Sequence, residues 1–421
     1  MKQTQAAFRG VTLVLLMMVI VISALDKLIF AFSGPSIIQS LKLTPTQFGF
    51  AGSAFFFLYS VAGICVGFAA NRVQTRWILV GMSLVWATSQ FMATFAGTFA
   101  MLVASRMILG IGTGPATAIT QHASFKWFKA EARITASTMI QISLMIGGLI
   151  AGACLPLAIA RFGWRQSYQA LGIVSVAWIV MWLVFGREGN VEDQKSDVAK
   201  NQGETSYRRL LLNRTFVTVS LLGFVGYVPS ALSFSWLAVY LQGGMGLTPP
   251  QVAGYLTLTT VALIVVSLIV SSMSRRALAR GASVRNAMVV PPVLGCLFGG
   301  IAYVGLHFAS GNKPLTLALY FFGSVAINIL PPFAFAIVGH ICGIGKRGAL
   351  FAIHNGIVTS AGIVSPYLIG VLVAMEGGSV LAGIQQFFTW FGLLAVGAGF
   401  VGLRLIQPER TKLGLAVPEL S

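Results

Sequence analysis

The sequence predicts an all-α membrane protein with twelve transmembrane helices in two parallel six-helix halves. Three observations predict it. Of 421 residues, 56% are hydrophobic and only 9% are charged, where a soluble chain carries about 25% charged residues. Hydropathy resolves into twelve apolar runs, each near the roughly 20 residues that a bilayer crossing requires. A polar stretch between the sixth and seventh runs divides them evenly, and a short basic turn recurs two runs into each half.

The first run, 11–33, reads VTLVLLMMVIVISALDKLIFAFS. It carries Asp26 and Lys27 side by side. A charge at mid-bilayer costs at least about 2.5 kcal/mol, so such residues face an interior cavity and serve function. In the plainer reading the helix ends near Ala24 and the pair lies among headgroups with Lys27 snorkelling, although LIFAF continues the apolar run. Runs follow at 47–69, 77–96, 99–123, 134–158 and 165–186, then at 215–241, 250–273, 285–308, 314–338, 350–375 and 380–405. They are numbered below as spans one to twelve. Arg187 to Arg214 holds five of the ten acidic residues and has the composition of a flexible linker. The expected domains are therefore a six-helix bundle at 1–190, a linker at 191–213 and a second bundle at 214–421.

Charge placement orients the chain. Of the 28 Lys and Arg residues, 22 fall on the loops and tails of the N-terminal side. Lys42, Arg161, Arg165 and Lys313 fall on the other, and Lys27 and Arg106 lie within spans. Positive-inside bias puts both termini and the central loop in the cytoplasm. The net charge of +18 thus reads as membrane orientation and not as nucleic-acid binding. Lys2 and Arg9 before an apolar run resemble a signal peptide, but the later spans favour an uncleaved first helix. The four cysteines lack metal spacing and read as small core residues. Gly110-x-Gly112-x-Gly114 lies inside a span with no following Lys-Ser/Thr, so it is not a nucleotide loop.

The basic turns are 70–76, ANRVQTR, and 274–281, SRRALARG. Two six-span halves repeated in parallel characterise one large class of transporters. Gly67-x-x-x-Asn71-Arg72-x-x-x-Arg76 resembles the GxxxDRxGRR loop of the major facilitator superfamily, with Asn71 for the usual Asp. Arg106-x-x-x-Gly110-x-Gly112 in span four resembles its RxxxGxG motif. Narrower features resemble the anion:cation symporter family, whose members carry sugar acids and other organic anions. Asp26-Lys27 is similar to its DR pair, and Gly52-Ser53-Ala54-Phe55-Phe56-x-x-Tyr59 to its GSAFxxxY pattern. Phe125 to Arg133 lies close to its WFxxxER turn, and Gly163-Trp164-Arg165-x-x-Tyr168 matches GWRxxF. Ser235-Trp236-Leu237-x-x-Tyr240-Leu241 resembles TWLPxYL, and Asn355-Gly356 with Gly362-Ile363-Val364-x-Pro366 resembles span eleven. The resemblance implies the major facilitator fold. One departure stands out: where the family often has a Glu seven residues after the span-four Arg, this chain has Thr113, which puts proton coupling in doubt.

At 1.5 Å per residue, Asp26 and Arg106 lie at similar depth. A buried Arg needs a carboxylate or an anionic substrate as partner, and its fork matches a carboxylate bidentately. Two readings stand: Arg106 and Lys27 supply positive charge for a substrate anion, or Asp26 and Arg106 form a static pair. Asp26 is the only acidic residue well inside a span and the leading candidate proton carrier. His354 is the second, against a reading as a hydrogen-bonded helix-end residue. The resemblance places Tyr59, Gln141 and Asn355 at cavity-facing positions, with packing as the alternative for each, and Asn328 is a weaker candidate. Trp236 and Tyr240 stack on substrate or anchor at the interface. Gly67, Asn71, Arg72 and Arg76, with Gly148 and Gly152 beside Gly147 and Pro156, are the expected conformational elements. No catalytic grouping, cofactor or metal is expected.

The reading is a secondary active transporter in a bacterial-type inner membrane. It takes up a small organic anion (carboxylate, sugar acid or sulfonate) by alternating access with H+ symport, as a monomer. The alternatives are an exporter or exchanger without proton coupling and, remotely, a membrane sensor. The small number of neutral polar groups in the expected cavity favours a small or partly apolar anion.

Overall fold

A computed structural model describes residues 2–69, 73–127, 130–189, 206–309, 311–342 and 344–416. Among the described residues all elements are helices. Eleven are long and apolar enough to cross a membrane: Gly10–Leu41, Thr75–Thr94, Phe99–Phe125, Met139–Phe162, Trp164–Phe185, Arg214–Ser233, Pro249–Ala279, Arg285–Ala309, Lys313–Ile341, Ala349–Met375 and Val380–Leu405. Pro45–Ala69, 25 residues without a charged side chain, occupies the second position. The twelve predicted spans are thus present. In hydrocarbon a helix satisfies its own backbone, which is why apolar runs of this length take that form. Leu84, Val180, Leu268 and Phe400 are each more than half exposed, as side chains meeting lipid must be. Cys65 and Cys154 are also exposed, contrary to their reading as core residues, whereas Cys296 and Cys342 are buried.

Several spans are interrupted. Span four breaks between Phe99–Thr113 and Ala116–Phe125 at Pro115, which lacks the N–H that would continue the helix. Span ten breaks between Lys313–Ile327 and Leu330–Ile341, before Pro331 and Pro332. Asn328 fills that break: its Nδ2 donates to Ser324 O at 2.8 Å, and Ser230 Oγ donates to its Oδ1 at 2.7 Å. Its amide is therefore spent on the fold. Span seven runs only to Ser233, then continues as Leu237–Val239 and a π-turn Tyr240–Gly244.

The chain forms two compact units. The first is Met1–Gln194 with Leu232–Thr260 and Gly362–Val380. The second is Lys195–Ala231, Val261–Ala361 and Leu381–Ser421. In the first unit, parts of spans one, two, seven and eleven join at the ends opposite the N-terminus. Phe30 stacks on Phe48 at 4.8 Å, and Phe48 meets Trp236 edge-on at 4.9 Å. Trp236 Nε1 donates to Pro366 O at 2.9 Å, and Tyr367 N donates to Ser53 Oγ at 3.1 Å. Trp236 and Tyr240 are wholly buried, so neither is an interfacial anchor. Small residues permit the approach: a Cβ on Gly49 would come 2.4 Å from Pro366 O. In the second unit Tyr303 stacks on Phe388 at 4.5 Å, and its hydroxyl meets Ser324 Oγ at 2.9 Å.

At the N-terminal side of the first unit, Glu188 caps span three. Its carboxylate accepts from Thr75 N at 3.2 Å, Thr75 Oγ1 at 2.9 Å and Arg76 N at 2.9 Å, and it pairs with Lys126. The first N–H groups of a helix have no intrahelical acceptor, and a carboxylate there also meets the positive end of the dipole. Arg76 donates to Leu183 O at 2.8 Å, and its own carbonyl accepts from Trp182 Nε1 at 3.1 Å. Arg76 therefore ties the start of span three to the end of span six. Gly67 lies in the last turns of span two, whereas Asn71 and Arg72 lie outside the described residues.

Two predictions follow from this packing. In span five the tight approach is at Gly147, where a Cβ would come 2.7 Å from Ala24 Cβ and 3.0 Å from Val21 O. Nothing lies within 4 Å of one on Gly148, and on Gly152 the nearest atom would be Thr257 Oγ1 at 3.8 Å. Gly147→Ala should cost about 1–3 kcal/mol of stability and Gly148→Ala almost none, read as melting temperature in detergent. Burial alone would raise the Glu188 carboxyl, but the hydrogen bonds from Lys126, Arg76 N and Thr75 outweigh it and hold the group below the usual carboxylate range. A depressed folded value adds stability that is whole above that range and fades as pH falls through the folded value. Glu188→Gln should therefore lower the melting temperature at neutral pH and flatten its decline in acid.

Candidate functional site

Span one carries its charges where the helix is fully packed. Asp26 is 0% exposed and Lys27 8%, so the pair is not in headgroups and the helix does not end before it. Asp26 Oδ1 accepts from Gln90 Nε2 of span three at 2.6 Å. Asp26 Oδ2 and Gln90 Oε1 are both buried without a hydrogen-bond partner. The Lys27 ammonium sits 5.7 Å from the centroid of the Tyr59 ring of span two, and Tyr59 is half-buried.

Arg106 of span four is 1% exposed. Its guanidinium lies between two rings, 4.3 Å from the centroid of Phe30 and 4.6 Å from that of Phe55. A cation over aromatic faces gains electrostatic energy that partly offsets lost hydration. Its nitrogens gain nothing more: Nε, Nη1 and Nη2 are all buried with no hydrogen-bond acceptor. Among the described residues the one ion pair is Lys126 with Glu188. The static Asp26–Arg106 pair, one of the two readings of the sequence, is therefore not formed. Tyr168 of span six, 2% exposed, interacts electrostatically with both Arg106 and Asp26, and its hydroxyl also lacks a partner.

The motif glycines explain this geometry. A Cβ on Gly110 would come 2.3 Å from Phe55 O, and one on Gly114 would come 2.1 Å from Tyr59 O. Span four thus rides on the backbone of span two, and Phe55 reaches the arginine one turn before Gly110. At the position where the resemblance led to a Glu, Thr113 is buried and its Oγ1 donates to Leu109 O at 2.6 Å. That hydroxyl is satisfied by its own helix.

Asp26, Lys27, Arg106 and Tyr59 thus meet, directly or through Phe55 and Tyr168, in the first unit. Gln141 in the first unit and Asn355 in the second are exposed. His354 lies in the second unit, fully buried, with Nδ1 3.0 Å from Ser220 Oγ and its ring 4.9 Å edge-on to Phe335. Its Nε2 has no partner. Sequence reasoning gave no role to Gln90, although it is the only amide side chain in span three. Phe30, Phe55 and Tyr168 were legible only as parts of an apolar run or a motif.

What this cluster can do chemically is hold an anion. One buried guanidinium whose three nitrogens lack an acceptor, with the Lys27 ammonium beside Tyr59 and the phenol of Tyr168 in the same cluster, forms a site for a group with several acceptor oxygens. No nucleophile–base pair accompanies them, and among the described residues no group of His, Cys, Asp or Glu has metal-binding geometry.

Known proteins agree with this architecture. A probable sulfoacetate transporter of Cupriavidus necator is 26% identical over 395 residues, 90% of this chain and 89% of that protein. A hexuronate transporter of Bacillus subtilis is 24% identical over 405 residues, 92% of each. Among solved structures, a bacterial homologue of the human lysosomal transporter Spinster, inward-facing and unoccupied, aligns over 98% of this chain and 99% of that one, with a TM-score of 0.80 at 17% identity. A D-xylose–proton symporter aligns over 96% and 99% with a TM-score of 0.75 at 14% identity. These two likenesses show the fold. The family model described as the Major Facilitator Superfamily matches residues 16–366. This chain therefore belongs to the Major Facilitator Superfamily, a multi-pass membrane transporter and not an enzyme.

Proposed function

We propose that this protein takes up a small organic anion across a bacterial inner membrane, with both termini in the cytoplasm, as a monomer working by alternating access. The observation that carries the anion is Arg106, with three buried nitrogens and no acceptor. An unpaired buried guanidinium is costly, and a carboxylate or sulfonate that supplies its missing acceptors recovers that cost. Lys27 adds a second charge, and Tyr59 and Tyr168 orient the substrate. Sulfoacetate and hexuronate, named for the relatives, bracket the substrate class. The predominantly apolar surroundings of Arg106 favour the smaller anions within it.

We propose H+ as the coupling ion, with Asp26 as its carrier. Asp26 Oδ2 and Gln90 Oε1 both lack partners while Gln90 Nε2 already donates to Asp26 Oδ1. A proton on Oδ2 would donate to Gln90 Oε1 and close an acid–amide ring that satisfies both atoms. It would also remove a negative charge from a site that must admit an anion, so proton and substrate favour the same state. His354 is better read as a packing residue, since Ser220 and Phe335 already hold it. Thr113, bonded to its own helix, favours a second reading as an exchanger without proton coupling. Counterflow in liposomes without a pH gradient, beside gradient-driven accumulation, separates the two.

Two measurements test these assignments. Organic acids, sulfoacetate and hexuronates among them, should raise the melting temperature of the purified protein. Arg106→Ala should weaken that binding at least about 30-fold, the loss of roughly 2 kcal/mol or more for a buried charged partner. Undiminished binding would remove Arg106 from the site. Asp26→Asn should abolish accumulation driven by a pH gradient while leaving counterflow, and Gln90→Leu should shift the pH profile of uptake only when Asp26 is present. If Asp26→Asn still accumulates substrate on a pH gradient, Asp26 is not the carrier.

A further inference from the structure

A cleft of about 450 Å³ lies in the second unit, where span seven begins and span twelve ends. Four arginines line it, Arg209 and Arg214 from one segment and Arg404 and Arg410 from another, and among the described residues no carboxylate does. Arg214, Arg404 and Arg410 converge on this one cavity, where like charges repel one another and an anion relieves the repulsion. The floor is built: Thr215 Oγ1 meets Thr411 Oγ1 at 2.6 Å and accepts from Gln407 N at 3.2 Å. These contacts fix the two segments to each other across nearly the whole half of the chain. Two neighbouring charges, Glu409 and Arg285, are already engaged. Glu409 Oε1 accepts from Arg285 N at 3.2 Å, and Arg285 Nη2 donates to Leu403 O at 2.7 Å. Arg214, Arg404 and Arg410 are by contrast exposed.

We infer that this cleft binds a phosphate group, and that its source is the headgroup of an anionic phospholipid. Guanidinium forks match phosphate oxygens bidentately, and basic pockets at the ends of transmembrane helices suit such headgroups. Apolar side chains around the cleft favour a lipid over a free ion. Leu212 of its lining is 68% exposed, and Tyr207 and Leu413 on the flanking short helices Tyr207–Leu212 and Pro408–Ala416 are 45% and 71% exposed. Headgroup oxygens meet the arginines while acyl chains run along spans seven and twelve. The four arginines then do more than orient the chain, since they hold the linker segment and the C-terminal helix around one bound lipid.

The test uses the full-length protein in detergent, with native mass spectrometry and melting temperature as readouts. The probes are phosphatidylglycerol, phosphatidylcholine and inorganic phosphate. Phosphatidylglycerol should be retained and stabilising, phosphatidylcholine should not, and inorganic phosphate should bind far more weakly. Arg404→Gln with Arg410→Gln should lower phosphatidylglycerol occupancy roughly tenfold or more. Arg275→Gln with Arg276→Gln, on the same side but outside the cleft, should not. Equal losses in the two double variants would overturn the inference in favour of a diffuse basic surface, as would unchanged retention in the first. Inorganic phosphate matching the lipid's effect would overturn the lipid as the source. Arg410→Gln alone serves if the double variant does not fold.

Discussion

The guanidinium of Arg106, clamped between Phe30 and Phe55 with no acceptor for any of its nitrogens, is the constraint around which the first unit is arranged. A cation buried at that depth is tolerable because ring faces flank it and, in the function proposed above, because a transported anion completes its hydrogen bonds. A fixed carboxylate partner would lower its energy permanently and occupy those nitrogens. The chain avoids that outcome by directing its one membrane-embedded acid elsewhere. Asp26 is held by the amide of Gln90, a neutral donor that steadies the carboxylate without cancelling the field of the arginine.

Holding the two rings against the arginine requires close backbone approach, which is where the glycines enter. Gly110 and Gly114 bring span four onto the carbonyls of span two, and Gly147 brings span five onto span one. Without a hydrophobic drive between helices in lipid, such contacts supply the association energy. Phe30 also stacks on Phe48, which meets Trp236, whose indole is tied to Pro366. The Phe30 ring that flanks the guanidinium is thus part of a continuous aromatic column reaching the packed ends of spans two, seven and eleven.

Charge is distributed with similar economy. With ten acidic residues against 28 Lys and Arg, carboxylates are scarce, and three described ones accept from amide N–H groups. Asp26 takes the side chain of Gln90, Glu188 the first backbone amides of span three, and Glu409 the backbone of Arg285. Each fastens a helix at a point where a donor would otherwise go unmet.

The apolar runs alone determined that twelve helices would form and roughly where, because a bilayer leaves a backbone no other way to satisfy itself. The charges of span one and Arg106 were legible as a site for the same reason: they are expensive wherever they lie at that depth. Boundaries were less legible. Span one reaches Leu41 past Pro35 and ends where Lys42 turns left-handed at φ 49°, and span seven stops at Ser233, ends that hydropathy does not mark. What only the tertiary structure decided is which side chains the charges meet. Similar depth for Asp26 and Arg106 left a direct pair open, yet Gln90 holds the acid and two phenylalanines flank the base. A phenylalanine in an apolar run looks the same whether it faces lipid or a guanidinium. Rotation about the helix axis and the register between helices separate the two, and those are set by glycine contacts between residues far apart in the chain.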